Sequence, residues 1–136
     1  TLIHRGGGHT PGDTMVWLPE AKVLFAGDIV YVDRLLAVIP VSHSGRWLEA
    51  FSALEALAPQ VIVPGHGRVT DVATAREQTR DYLTALRTHA REAVDQGLDP
   101  STAARTFDGS RWKGLSNAAE LGPGNASRVF LELERE

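Results

Sequence analysis

Gly7-Gly8-His9-Thr10-Pro11-Gly12-Asp13, Leu24-Phe25-Ala26-Gly27-Asp28 and Val63-Pro64-Gly65-His66-Gly67 are the stretches that decide the reading of this chain. Each follows a run of β-type residues and sets a metal-competent side chain beside glycine at the start of a loop. Glycine lets a backbone turn sharply and approach a bound group closely. A lone loop histidine is most often a polar surface residue, and a strand-end aspartate often caps local N–H groups. The trio His9, Asp28 and His66, each at an expected strand end, is far more specific than any one of its members. A carboxylate after the apolar run 23–26 is costly unless paired, hydrogen-bonded or metal-bound, and one carboxylate can offer an oxygen to each of two ions. Thr10 and Asp13 stand where they can fix either an imidazole or the turn itself.

Working outward, residues 1–4, 14–18, 22–26 and 60–63 read as short strands, the second and third joined as an antiparallel hairpin by Pro19-Glu20-Ala21. Segment 28–44 is long and mostly apolar, and a loop of that composition is expected to pack at the mouth of a site. Ser44 reads as the N-cap of a helix over 46–57, with Trp47, Leu48, Phe51, Leu54 and Leu57 on one face and Pro59 closing it. Asp71 reads as the cap of a longer helix ending near Gln96, with Gly97 as its stop. A short helix follows from Asp99 to about Thr106, and Asn125 reads as the cap of a last one. The expected class is α/β (α+β): a small mixed sheet with helices packed on it. Residues 1–136 are expected to form one domain, with the sheet and motifs in 1–70 and helices in 71–136.

The net charge of −3 and pI near 5.9 argue against a nucleic-acid footprint. No apolar run is long enough for a membrane span, and no leader pattern opens the chain, so a cytoplasmic location is favoured. There is no cysteine, so any metal must be held by nitrogen and oxygen.

The three motifs, in order and approximate spacing, resemble the third, fourth and fifth metal-binding motifs of the metallo-β-lactamase fold superfamily. The resemblance is close over the first half of the chain and looser over the later helices. It implies His9 as a ligand of one metal, Asp28 as the bridging, catalytic carboxylate and His66 as a ligand of the second metal. It also implies zinc as cofactor, up to two ions, with iron or manganese in some members. The family fold is an αββα sandwich. The family's earlier motif, His-x-His-x-Asp-His, does not occur in this sequence, and His4 has no histidine two residues away to stand in for it. The chain is therefore expected to correspond to the C-terminal half of such a domain, a fragment of it.

Two functions follow. In the first, the parent protein is a metal-dependent hydrolase that acts on an ester, thioester or lactam bond of a small-molecule substrate, with this chain giving part of the site. In the second, the chain is a non-catalytic half-domain or assembly module with an incomplete metal site. The expected partners are the missing N-terminal half or a second copy of the chain, as a dimer, with no nucleic acid and no membrane. His43 and His89 read as exposed histidines. Tyr31 and Arg34 read as pocket-lining or packing residues, and Trp17, Trp47 and Trp112 as core or half-buried anchors. Residues 132–136 read as a solvated helix end.

Overall fold

The expected hairpin forms the middle of a four-stranded sheet. The structure is a computed structural model and describes residues 1–136. Strands β1 (Leu2–Ile3), β2 (Met15–Leu18), β3 (Val23–Tyr31) and β4 (Val61–His66) lie side by side in that order. The first three pair antiparallel and β4 joins β3 in parallel, so the sheet is mixed. Parallel pairing needs a crossover, and α1 (Ser44–Leu57) supplies it.

Two strands run further than their apolar stretches. β3 continues past Ala26 to Tyr31, across a register shift at Gly27, whose φ is +55°. That bulge re-aims the strand, so Asp28 is carried inside an extended strand and not at a loop start. β4 runs on through Pro64 to His66. Proline is tolerated there because β4 is an edge strand and Pro64 lies opposite the irregular Gly27.

Alternation along the strands separates two faces. Ile3, Met15, Trp17, Leu24, Ala26 and Ile62 point to the helices, and most are fully buried. Leu2, Val16, Leu18, Val23, Phe25, Val61 and Val63 occupy the other face in matched register across all four strands. No helix covers that face: Leu2 is 75% exposed and Phe25 44%.

The helices complete one core. α1 buries Trp47, Ala50, Phe51 and Leu54. A continuous helical run follows: α2 (Val72–Ala75), a π-helical segment Arg76–Arg80, and α3 (Asp81–Asp95). Asp71 caps it as expected, accepting from the Thr74 N–H at 2.8 Å. Gly97, at φ +72°, follows its end. α4 (Pro100–Thr106), a 3₁₀ turn at Ser110–Trp112 and α5 (Ala118–Glu134) close the chain.

Four expectations change. His43, not Ser44, caps α1, its Nδ1 accepting from the Arg46 N–H. Asn125 does not start a helix: α5 begins at Ala118, and Asn125 lies buried in its middle. His89 is no free surface group, because its Nε2 meets the Ala103 carbonyl at 2.7 Å. Glu132 is bound by Ser44 and Arg87, so 132–136 is not simply a solvated end. The apolar loop after Asp28 faces inward: Ile29, Val30, Val32, Leu35, Leu36 and Val38 are all buried.

Candidate metal centre

His9, Asp28 and His66 come together although 57 positions separate the first from the last. The Nε2 of His9 lies 3.6 Å from one carboxylate oxygen of Asp28, and the Nε2 of His66 lies 3.5 Å from the other. Those gaps are long for hydrogen bonds. They match the separation of about 3.4 Å between two ligands of one tetrahedral ion with bonds near 2.1 Å. Each histidine thus shares a different carboxylate oxygen, the disposition of a carboxylate between two ions. A carboxylate so placed could offer one oxygen to each of two ions.

The surroundings of His9 orient its ring. Its Nδ1 donates to the Ala37 carbonyl at 2.9 Å, which leaves the Nε2 lone pair facing Asp28. Trp47 meets its ring edge-on at 5.4 Å, and Ser42 holds its backbone carbonyl through a 2.7 Å hydrogen bond. Thr10 and Asp13 fix the turn, not the imidazole: the Thr10 N–H and hydroxyl both donate to the Asp13 carboxylate.

His66 is set up differently. The Arg34 guanidinium donates to its Nδ1 at 3.3 Å. A neutral imidazole that accepts at Nδ1 carries its proton on Nε2, so an ion on this side requires Arg34 to turn away. Tyr31 stacks on His66 at 4.5 Å and tilts against His9 at 5.6 Å, a wedge that keeps the two rings apart. Burial, with the Asp28 charge adding to it, pushes the Tyr31 phenol up to about 12. It therefore stays protonated near neutrality and can act as a donor, here towards the His9 Nε2 at 3.4 Å. His43 stays apart from this group, capping α1 beside Glu132.

Helical residues far along the chain hold the site loop. Thr79, in the π-helical segment, accepts from the Tyr31 N–H and donates to the Tyr31 carbonyl. Gln78 accepts from the Asp33 N–H at 2.7 Å. Asn125 accepts from the Val38 N–H and donates to the Leu36 carbonyl, bracketing Ala37, whose carbonyl orients His9. These supports were not read from the sequence. A π-helical turn has no periodic signature, and Asn125 follows Gly-Pro-Gly, which reads as a break.

The only gathering of three ligand-type atoms within 4.8 Å of one another is elsewhere, at His43, Glu132 and Glu136. There the carboxylates are already neutralised by Arg87 and Arg91, and the His43 Nδ1 is used in the cap.

Known proteins resemble the chain in sequence and in fold. The family model described as the metallo-beta-lactamase superfamily matches residues 1–66. A metallo-beta-lactamase type 2 of Bacteroides fragilis is 26% identical over 104 residues, 73% of this chain and 36% of that protein. The crystal structure of DIM-1 metallo-beta-lactamase aligns at 32% identity and a TM-score of 0.54, over 62% of this chain and 41% of that one. A metallo-beta-lactamase from Pontibacter korlensis aligns at 29% identity and a TM-score of 0.55, over 61% of this chain and 40% of that one. The chain thus spans about two-fifths of the length of the relatives it matches. Over residues 1–66 the chain matches the metallo-beta-lactamase superfamily in sequence, and its mixed sheet with helices is similar to the fold of those metallo-beta-lactamase structures.

Proposed function

We propose that this chain supplies one edge of a two-metal hydrolase centre acting on an ester, thioester or lactam bond. The observation that carries the reading is the Asp28 carboxylate with one histidine on each oxygen, at 3.6 and 3.5 Å. Bound zinc would polarise the scissile carbonyl and lower the pKa of the attacking water. His9 and His66 would each hold one ion, and Asp28 would hold both. Trp47 and Tyr31 keep the His9 side dry, which strengthens every charge interaction there. Arg34, beside His66, offers a cation to an anionic group of the substrate.

Three side chains do not fill two coordination shells. The remaining ligands and the carboxylate that orients water would come from a His-x-His-x-Asp-His segment on a second sheet. The uncovered face carrying Val16, Leu18, Val23, Phe25, Val61 and Val63 is the seat we assign to that sheet. Apolar patches much above a few hundred Å² are uncommon on soluble monomers. Offered alone, the face would be satisfied by a second copy of the chain, most simply as a two-fold dimer. A second reading, a non-catalytic half-domain, is favoured by one observation: Arg34 donates to the His66 nitrogen that a ligand histidine needs to keep protonated.

One preparation tests the assignment. The purified chain is expected to self-associate at micromolar concentration in sedimentation velocity, and Leu18→Lys with Phe25→Glu should shift it towards monomer. It should show no thioester or lactam turnover above background, since such groups act as a unit. Turnover that His66→Ala abolishes, or a monomer that the two charges leave unchanged, would contradict the proposal.

A further inference from the structure

A cavity of about 270 Å³ lies on the helical side of the molecule, between α3, α4 and α5, away from the uncovered sheet face. Its walls are aromatic. Tyr82 meets Trp112 edge-on at 5.2 Å and Phe107 at 6.1 Å. Their polar atoms are already engaged: the Trp112 indole N–H donates to the Glu77 carbonyl, and the Tyr82 hydroxyl accepts from Asn125. What these side chains present to the cavity is therefore ring surface. A cavity near 150 Å³ takes a benzene, so this one has room for two fused rings.

Two polar features belong to lining residues. Lys113 stands at the rim, and its neighbour Arg111 is occupied by Asp81. Pro123 sits inside α5 and has no N–H, so the Ala119 carbonyl one turn earlier lacks its helical donor. Ala119 and Pro123 both line the cavity. Gly122 widens it: a Cβ built there meets nothing within 4 Å.

We propose that this cavity is a binding site for a small planar aromatic acid of two fused rings. Its rings lie among Tyr82, Phe107 and Trp112, its carboxylate faces Lys113, and a ring N–H or hydroxyl donates to the Ala119 carbonyl. The site is separate from the candidate metal centre, since none of His9, Asp28 or His66 lines it.

The test is a titration with indole-3-acetate, followed by ¹⁵N-resolved shifts of the Gly109 and Gly122 amides and the Trp112 indole. Indole and naphthalene-1-acetate serve as the ligands lacking the acid and the N–H. Saturable shifts confined to these groups are expected, with half-saturation below about 1 mM. Lys113→Met should weaken indole-3-acetate roughly five-fold and leave indole unchanged, as an exposed ion pair would. Naphthalene-1-acetate should bind more weakly than indole-3-acetate by a similar factor. Gly122→Leu, which adds a side chain into open space, should abolish the shifts without lowering the urea midpoint. If Gly122→Leu loosens the fold, Ala104→Leu fills the same cavity from α4. No saturation by about 5 mM, or saturation that both filling variants leave intact, would overturn the proposal.

Discussion

Asn125→Leu should destabilise the protein by about 3–5 kcal/mol, the sum of lost hydrogen bonds and buried groups left unpaired. Asn125 is 1% exposed and makes three buried hydrogen bonds. Leucine is close in size, so the effect isolates polarity from volume. The Val38 N–H and the Leu36 carbonyl would remain buried with no partner. Asn125→Asp keeps an acceptor for the Val38 N–H but loses the donor to Leu36, and should fall between leucine and the wild type. Urea denaturation of the three proteins measures the order. An Asn125→Leu midpoint equal to wild type would show that the Leu36–Val38 segment is held by something else. Because that segment carries the Ala37 carbonyl, the same variant should also loosen His9.

Gly65→Val should be comparably damaging, for a steric reason. A Cβ at Gly65 would lie 2.6 Å from the Gly27 carbonyl carbon and 2.7 Å from its oxygen, and would press on the Asp28 carboxylate. These are backbone neighbours that cannot swing aside, so β3 and β4 would have to separate at the bulge. The cost is expected at about 2–4 kcal/mol, the range for forced shifts in a close-fitting interior. Asp28 would move with the strand, so metal affinity should fall together with stability. Gly12→Val, where a Cβ meets nothing within 4 Å, is the control. Equal denaturation midpoints for the two variants would remove the close approach of β3 and β4 from the account.

The strand runs, the hairpin and the gathering of His9, Asp28 and His66 were legible because each rests on local pattern: alternation, turn residues, glycine beside a metal-competent side chain. Trp47 and Phe51 on the buried face of α1 follow from spacing in the same way. What the sequence did not show are features set by distant partners. β3 extends to Tyr31 because β4 and Thr79 give its later backbone groups partners, 35 and 48 positions away in the pairs Tyr31–His66 and Tyr31–Thr79. Asn125 resembles a cap by residue type, and only its contacts with Leu36, Val38 and Tyr82 make it an interior bracket. The loop after Asp28 was expected to pack at the mouth of a site. The helices cover it, and the exposed apolar surface lies on the opposite face of the sheet, at Leu2, Leu18 and Phe25.

Zinc titration of the chain, by equilibrium dialysis with elemental analysis, tests the central claim most directly. On the proposed assignment His9, Asp28 and His66 are only three ligands, divided between two ions, so binding is expected to be weak and to reach at most one zinc per chain. Asp28→Ala should lower the affinity most, because it removes an oxygen from both positions. His9→Ala should come next, and Glu132→Gln should leave binding unchanged. Zinc held equally well after Asp28→Ala, or lost on Glu132→Gln, would contradict the account and move the metal to the cluster at His43.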